Sequence, residues 1–491
     1  MLVIFLFAMD ATVVGTAMPT VVGKLGGLEL YSWVFSAYML TSALATALSG
    51  KLSDLYGQRR LILIGIALFT LASALCGMAR SMEQLVIFRA LQGVGGGAIY
   101  ALSFIVVGFL FPPEQRAEMQ GLISGVWGIA SVLGPLAGGI ITQYWSWRWI
   151  FFVNLPICFI AALLIVLGLA ETRVEGHRRP DLKGAITLLL GLSLLFYTLE
   201  ESQRRFFAFD ATLGALLVSA LLSLGLFYAL ERRSEEPLLP PGLFRLRLFR
   251  VTAGIAWVAS MGMFGLVSYL PLYVQGVLGG SASRAGLVLL LLSLGWTAGS
   301  FSAASGINRF GYRAACAAGM LLMALGYGFF IGSGDRVGFV AILAIGAVIG
   351  VGMGIVTVTS MVAAQNGVPL SQLGVATSTI MLCRMFGGAF GINLLGGVLF
   401  SQMQRRLASL SSDSSLNLSD SLIEKLANPQ SLLDPSTRAL IPDSLLASLS
   451  DILGHSIWYA FLTGFFVMLF GFGFSFLMAD PTPANSGEAQ T

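Results

Sequence analysis

The sequence predicts an all-α polytopic membrane protein, and three observations support that fold class. Of its 491 residues, 56% are hydrophobic and only 11% are charged, whereas a soluble domain carries about 25% charged residues. The mean hydropathy is +0.85. Apolar runs of about 20 residues recur along the whole chain, and each is long enough to cross the ~30 Å hydrocarbon core of a bilayer.

These apolar runs predict fourteen transmembrane helices. The first run begins almost at Met1 and is interrupted by Asp10, so we favour a span over a cleaved signal peptide and expect a short cytoplasmic tail before it. The predicted spans are 2–22, 32–50, 61–79, 84–110, 117–142, 149–170, 183–202, 208–230, 250–276, 284–305, 313–333, 337–364, 372–400 and 456–478.

Basic residues in the loops predict that both termini are cytoplasmic. With the N-terminus inside, the inner loops hold fifteen Lys and Arg residues and the short outer loops hold seven, and cytoplasmic loops usually carry the excess. The net charge of +4 lies in loops and gives no indication of nucleic-acid binding. We expect 401–455 to be an extracytoplasmic loop with short amphipathic helices at 420–426 and 443–453, and 481–491 to be a disordered tail.

An internal repeat divides the predicted helices into two related sets. Asp54–Arg59 recurs as Asn308–Arg313, and Gly134 falls opposite Gly388, both at an offset of 254 residues. An even number of spans separates the copies, so the two sets run parallel to each other. The repeat predicts an N-terminal six-helix bundle in 1–170, two inserted helices with cytoplasmic loops in 171–248, and a C-terminal six-helix bundle in 249–480.

Three ionisable residues lie well inside predicted spans, away from their ends, where burying a charge is costly and therefore indicates function. Asp10 is near the middle of the first span and is the only carboxylate well inside any span. It is a candidate proton switch, and the alternative is a fixed structural ion pair. Arg89 lies in the fourth span. Arg384 lies near the middle of the thirteenth, where we favour a structural role.

Glycine-rich segments mark candidate gating regions. The loop Gly50–Arg60 contains Asp54, which can cap a helix or pair with an arginine, and Gly57, which permits a tight reversal. The fourth span carries Arg89–Gly97, whose glycines would let neighbouring helices approach closely, and it lacks the preceding strand of a dinucleotide fingerprint. The fifth span carries Gly134–Gly139, in which a proline bends the helix and creates either a packing kink or a gate.

Other span residues could line a substrate cavity, because aromatic walls with a few polar groups are typical of ligand pockets. The four cysteines lie in spans without metal-ligand spacing and both histidines lie in loops, so we expect no metal site. The sequence has no P-loop and no catalytic constellation, so we expect neither a cofactor nor an enzyme activity. The candidate cavity residues are Tyr38, Gln92, Trp127, Asn154, Trp257, Phe264 and Tyr269.

Taken together, these segments resemble the major facilitator superfamily and, within it, the fourteen-span drug:proton antiporter family. Gly50–Arg60 is similar to the superfamily signature between spans two and three. Asp10–Pro19, Arg89–Gly97 and Gly134–Gly139 are similar to the family's first-, fourth- and fifth-span motifs, and Trp147–Pro156 is similar to its sixth-span pattern. The resemblance covers nearly the whole chain and implies the major facilitator fold.

The resemblance also implies a function, that of a proton-driven multidrug exporter working by alternating access. Its implied partners are the cell membrane, protons and an amphipathic small molecule, and its implied state is a monomer. Asp10 would be the protonation site and Arg89 would take part in proton coupling. The gating residues that the resemblance implies are Gly50, Asp54, Gly57, Arg59, Arg60, Gly134, Pro135, Gly138 and Gly139.

Two other functions remain open from the sequence. A lipid or lipid-like metabolite exporter of the same fold is favoured by the scarcity of buried charge. A non-transporting membrane sensor or scaffold is disfavoured, because such a protein should lose Asp10, Arg89 or the Gly50–Arg60 loop. The chain has no acid well inside its predicted spans beyond Asp10, which argues against dicationic substrates, and Asn308 in place of Asp54 weakens any charge relay in the second copy.

Overall fold

The structure, a computed structural model, describes residues 1–27, 30–170, 181–205, 210–234, 237–334, 337–411 and 443–479. Within these ranges every long element is a helix, which confirms the predicted all-α class. The helices are α1 (Leu2–Leu25), α2 (Tyr31–Tyr56), α3 (Gln58–Met78), α4 (Met82–Leu110), α5 (Pro113–Tyr144), α6 (Trp149–Gly168), α7 (Leu182–Arg204), α8 (Ala211–Glu231), α9 (Arg247–Val277), α10 (282–310), α11 (312–332), α12 (Phe339–Asn366), α13 (Leu373–Ser411) and α14 (Asp443–Ser475).

Local sequence signals explain several helix starts. Ser81 caps α4 by accepting a hydrogen bond from the Gln84 N–H, and Asp210 caps α8 by accepting one from the Leu213 N–H. Pro113 occupies the start of α5, where its missing N–H leaves no intrahelical bond unmade.

Two glycines interrupt the helices at equivalent places in the repeat. Gly57 separates α2 from α3 with φ 86°, and Gly311 separates α10 from α11 with φ 80°. A side chain would be strained in this left-handed region, whereas glycine adopts it freely. The two glycines stand 254 residues apart, so the repeat read from the sequence extends to backbone conformation.

The helices pack as two bundles, which we call the first bundle (α1–α6) and the second bundle (α9–α14). One apolar cluster consists of residues of the first bundle. A second cluster consists of residues of the second bundle together with Ala117 of α5. A third cluster joins the bundles, because α1–α6 and α9, α12 and α13 all contribute to it. The pair α7 and α8 packs on itself and against α2 and α13, so it covers a seam between the bundles.

Ten described helical segments are long and apolar enough to cross a membrane, with α10 and α11 counted as one segment. The helices α1 and α7 contain shorter apolar stretches, Leu2–Met18 and Lys183–Leu199. The number of crossings therefore stays a prediction, while the multi-helix membrane bundle is what the described residues form.

The predicted loop 401–455 is shorter in the structure, because helix continues at both of its ends. The helix α13 runs to Ser411 and α14 begins at Asp443, so residues 443–453 open a long helix. His455, predicted in a loop, lies in α14 for the same reason. The predicted helix 420–426, the predicted disordered tail 481–491 and His177 lie outside the described residues.

Candidate functional site

Asp10 and Arg89 form a buried ion pair inside the first bundle. Asp10 lies near the middle of α1 and Arg89 lies in α4, and their side chains are brought together although 79 positions separate them. Arg89 Nη1 lies 2.7 Å from Asp10 Oδ2, and the two residues are 1% and 2% exposed. A charge-assisted bond of this length in a dry environment is stronger than the same bond in water.

Two amides complete the shell around the Asp10 carboxylate. Gln92 lies three residues after Arg89 on the same face of α4, and its Nε2 donates to Asp10 Oδ1 at 2.9 Å while its Oε1 accepts from Arg89 Nη1 at 2.7 Å. Asn154 of α6 donates to Asp10 Oδ1 at 3.2 Å. Ser73 of α3 accepts from Gln92 at 2.7 Å and from Asn154 at 3.4 Å. The network therefore ties together α1, α3, α4 and α6.

The helix α2 closes the other side of Arg89. The guanidinium carbon lies 4.0 Å from the centre of the Tyr38 ring, a cation–π contact, and Arg89 Nε donates to the Val34 carbonyl at 3.4 Å. The α2 and α4 backbones can approach each other closely because Gly97 has no side chain. A methyl group at this position would overlap the Ser42 carbonyl. The glycines predicted to allow close packing are thus what bring Tyr38 onto Arg89.

The helix α5 packs on α1 one turn beyond Asp10. A methyl group at Gly134 would overlap the Thr12 hydroxyl, and one at Gly138 would overlap the Thr16 hydroxyl. Pro135 and Gly139 face away from α1 and are exposed. Only two of the four predicted gating residues of α5 therefore make this contact.

The segment Gly50–Arg60, predicted as a loop, is helical in the structure except at Gly57, because α2 continues to Tyr56 and α3 begins at Gln58. At this end of the bundle, which we call the loop end, α2 contacts the start of α13. The carboxylate of Asp54 accepts the backbone N–H groups of Gly374 and Val375, both at 3.1 Å, and so binds the positive end of the α13 dipole. A methyl group at Gly50 would overlap the Gly374 carbonyl. Burial raises the pKa of Asp54, which lies beyond the apolar stretch 32–50, from 3.8 to about 7, against the opposing effect of those N–H donors and of Lys51.

A second link between the bundles at the loop end was not predicted. Arg116, at the start of α5, donates to the Asn366 side chain at 2.7 Å and to the Gln365 carbonyl at 3.3 Å. These acceptors lie at the C-terminal end of α12, where a cation is favoured. Gln365 in turn donates to the Phe104 carbonyl of α4 at 3.2 Å.

The arginine Arg59, in the segment Gly50–Arg60, makes its contact within the first bundle. Arg59 Nη2 donates to the Val166 carbonyl of α6 at 2.8 Å, so it acts within the first bundle. Arg60 is exposed. Asp54 therefore makes its contact with the second bundle through backbone N–H groups.

The candidate cavity residues separate into two sets. Gln92 and Asn154 were predicted to line the cavity, but both are buried and hydrogen-bonded to Asp10, so they differ from that expectation. Tyr38 is likewise buried under Arg89. The partly exposed residues are Trp127, Trp257, Phe264 and Tyr269.

The partly exposed residues divide between the two bundles. Trp127 packs its ring on Phe7 in the first bundle. In the second bundle, Trp257 lies against Phe390, and the Tyr269 hydroxyl donates to the Ile392 carbonyl at 3.0 Å. A cavity of about 290 Å³ lies elsewhere, between the ends of α9, α13 and α14, where Arg406 and His455 line it.

Arg384 stands apart from these networks. It lies in the first third of α13, it is 8% exposed, and its Nη1 atom is buried without a hydrogen-bond partner. No described residue forms an ion pair with it, and the structural role that we favoured for it stays a prediction.

Sequence reasoning missed Ser73, Arg116 and Gln365. Nothing in the sequence distinguishes Ser73 from the other span serines. Arg116 could have been found, because it follows the Pro112–Pro113 helix start at a membrane boundary, where a basic residue can bind a neighbouring helix end.

The fold and the buried network describe a helical membrane bundle built around a polar interior. Among the residues that the structure covers, no group of three His, Cys, Asp or Glu side chains could hold a metal ion. The sequence profile of the Major Facilitator Superfamily matches residues 1–392, and the chain belongs to that family. It is a multi-pass membrane transporter and not an enzyme.

Individual proteins similar to this chain agree with that assignment. Multidrug transporter protein MdtP of Bacillus subtilis (strain 168) is 35% identical, over 99% of this chain and 93% of the relative. Multidrug resistance protein 3 of the same organism is 33% identical, over 94% and 90%. The structure of the proton:xylose symporter XylE matches with a TM-score of 0.60 at 15% identity, over 98% of this chain and 94% of that one, which supports the fold alone.

Proposed function

We propose that this transporter is a proton-coupled exporter of amphipathic or lipophilic compounds, which exchanges protons for substrate by alternating access. The observation that carries the proposal is the buried Asp10–Arg89 pair. Asp10 is the carboxylate placed at the middle of a described span, and its charge is balanced by one partner only. The names of the two Bacillus relatives, a multidrug transporter and a multidrug resistance protein, support the substrate class.

Protonation of Asp10 would change the energetics of this network. A proton on the carboxylate removes its negative charge and leaves the Arg89 guanidinium buried without a counter-ion. An uncompensated buried charge costs about 3–5 kcal/mol, which can shift a two-state equilibrium by more than about a hundredfold. The bundle would then favour a conformation in which Arg89 is hydrated or finds another acceptor, and this couples the proton to the conformational change.

We further propose fourteen crossings of the cell membrane with both termini cytoplasmic, in a monomer. The two moving units would be 1–170 and 249–480, and the inserted helices lie in 171–248. With this orientation the loop end faces the cytoplasm. The Asp54 and Arg116 links between the bundles then belong to a state closed toward the cytoplasm.

The proposal is tested in proteoliposomes with an imposed pH gradient. Efflux of ethidium, a lipophilic monocation, and of dansyl-glycinamide, a neutral amphipath, should follow the gradient in the unmodified chain and stop in Asp10→Asn. The matched control is Glu83→Gln, which removes an exposed carboxylate at the start of α4. Transport that ignores the gradient would refute proton coupling, and coupling that persists in Asp10→Asn would move the proton site elsewhere.

A further inference from the structure

The Arg384 guanidinium is a buried cation for which the described structure provides no anion. Its Nη1 atom has no hydrogen-bond partner, and the residue is 8% exposed. A charged side chain inside a bilayer is costly and is normally paired. The Asp10 carboxylate is already bound by Arg89, Gln92 and Asn154. The second bundle therefore carries an unbalanced positive charge.

Arg384 lies directly beyond the apolar cluster that joins the two bundles. Ile380 and Met381, one turn earlier on α13, are fully buried in that cluster. One helical turn corresponds to about 5–6 Å. Arg384 is thus at the inner limit of the region between the bundles, next to the point where they are sealed toward the loop end.

The helix α9 packs against α13 just beyond Arg384, on the side away from the loop end. Gly387 and Gly388, three and four residues later, share its face of α13. A methyl group at Gly387 would overlap the Trp257 carbonyl, and one at Gly388 would lie 2.7 Å from the Phe264 ring. This face of α13 is therefore directed at α9, where it meets the Trp257 backbone and the partly exposed Phe264 ring, and the Trp257 ring lies against Phe390 of α13.

A second unpaired donor lies at about the same depth on α12. Gln365 Nε2 donates to Thr377 Oγ1 at 3.1 Å, which fixes the antiparallel register of α12 and α13. Because the two helices are antiparallel, Arg384, seven residues after Thr377 on α13, lies level with the residue seven positions before Gln365 on α12, next to Thr357. The Thr357 hydroxyl is also buried without a partner.

We propose that Arg384 binds the anionic group of a transported substrate, so that amphipathic anions are favoured over neutral or cationic compounds with the same apolar body. The head would be a carboxylate, sulfonate or phosphate held by the guanidinium, and the apolar body would extend from it toward Trp257 and Phe264. This inference rests on the proposed export function. It assigns a binding role to a residue for which the sequence favoured a structural one.

The test compares two fluorescent probes with the same apolar body. Dansyl-glycine carries a carboxylate, and dansyl-glycinamide is its neutral amide. Binding is measured by fluorescence anisotropy on the full chain in phosphatidylcholine nanodiscs. A hydrogen bond to a charged group is worth enough to favour the carboxylate by about ten- to a hundredfold. Equal affinities for the two probes would overturn the proposal.

Variants assign the preference to the guanidinium. Arg384→Gln should lose the preference for the carboxylate while keeping its affinity for the amide. Arg384→Lys should keep part of the preference, and it remains informative if the glutamine variant fails to fold. The matched control is Arg80→Gln, which removes an exposed cation elsewhere. Unchanged discrimination in Arg384→Gln would also overturn the proposal.

The lipid composition distinguishes the two sources of such an anion. If the ligand is a lipid headgroup, phosphatidylglycerol in the nanodisc should compete with dansyl-glycine and weaken its binding to the native chain. Binding of dansyl-glycinamide, which lacks the competing charge, should not change. If the ligand is a free anion, phosphatidylglycerol should leave the affinity unchanged. Both results support the shared anionic chemistry. Gradient-driven efflux of dansyl-glycinamide reports on the proposed export function separately, so the two proposals can fail independently.

Discussion

The two bundles treat buried charge in opposite ways. In the first, Asp10 and Arg89 neutralise each other at 2.7 Å within a shell of amides. At an offset of 254 residues, the positions equivalent to this pair are Phe264 and Leu343, and the position equivalent to Arg384 is Ala130. Among the described mid-helix positions, the first bundle thus holds a balanced pair and the second holds the unpaired Arg384, which is the arrangement expected if proton handling and substrate binding are divided as we propose.

The largest expected effect comes from breaking the balanced pair. Asp10→Asn should destabilise the protein by about 3–5 kcal/mol, because Arg89 is left buried without a counter-ion. Thermal unfolding in detergent measures the change, with Glu83→Gln as the exposed control. The double variant Asp10→Asn with Arg89→Gln should recover part of the stability, and a double variant no more stable than the single one would argue that the pair is not coupled.

Removing the unpaired cation Arg384 should change the stability of the protein in the opposite direction. Arg384→Met removes a charge that has no partner among the described residues, so we expect stability to rise by about 2 kcal/mol in the absence of substrate. The same change at Arg89, Arg89→Met, should lower it. Melting curves for the two variants, recorded side by side, test the comparison directly, and a loss of stability in both would mean that Arg384 also has a partner.

The sequence predicted the bundle and its buried charges better than it predicted their partners. Apolar length located α3 and α4 within three residues of the predicted spans, and the scarcity of charge inside spans singled out Asp10. Gln92 and Asn154 were recognised as polar groups but were placed in a cavity, because spacing along one helix does not reveal which neighbouring helix a side chain meets.

The contacts at the loop end were beyond sequence reasoning for a different reason. The contact of Asp54 with Gly374 and that of Arg116 with Asn366 join positions about 320 and 250 residues apart. They exist only when the two bundles close on that end. If the protein alternates between conformations, as we propose, a single sequence does not specify which of them is observed.

The packing of α5 on α1 should produce a smaller effect. Gly134→Ala would place a methyl group onto the Thr12 hydroxyl, and overpacking of this kind costs about 1–3 kcal/mol. The matched control is Gly139→Ala, where the added methyl group meets nothing within 4 Å, so the gain in helix propensity should stabilise by about 0.5–1 kcal/mol. Thermal unfolding compares the two, and Thr12→Ala should relieve the first. Equal changes at both glycines would argue against the α1–α5 contact.

The smallest expected effect concerns the loops, where the first copy has Asp54 and the second has the exposed Asn308. Because the pKa of Asp54 is raised from 3.8 to about 7 when the loop end is closed, the closed state binds a proton more tightly than a state in which Asp54 is hydrated. Closure should therefore be favoured at low pH, weaken as the pH rises from about 4 to about 7, and change little above that.

Spin labels at Arg60 and Leu370, both exposed at the loop end, measure the closed population between pH 5 and pH 8. The pH dependence of the native chain should exceed that of Asp54→Asn, in which both loops carry an amide and the titration is lost. An identical profile in the two proteins, or closure that strengthens with rising pH, would contradict the assignment. The difference between the bundles would then be confined to their buried charges, because closure of the loop end would not depend on protonation of Asp54.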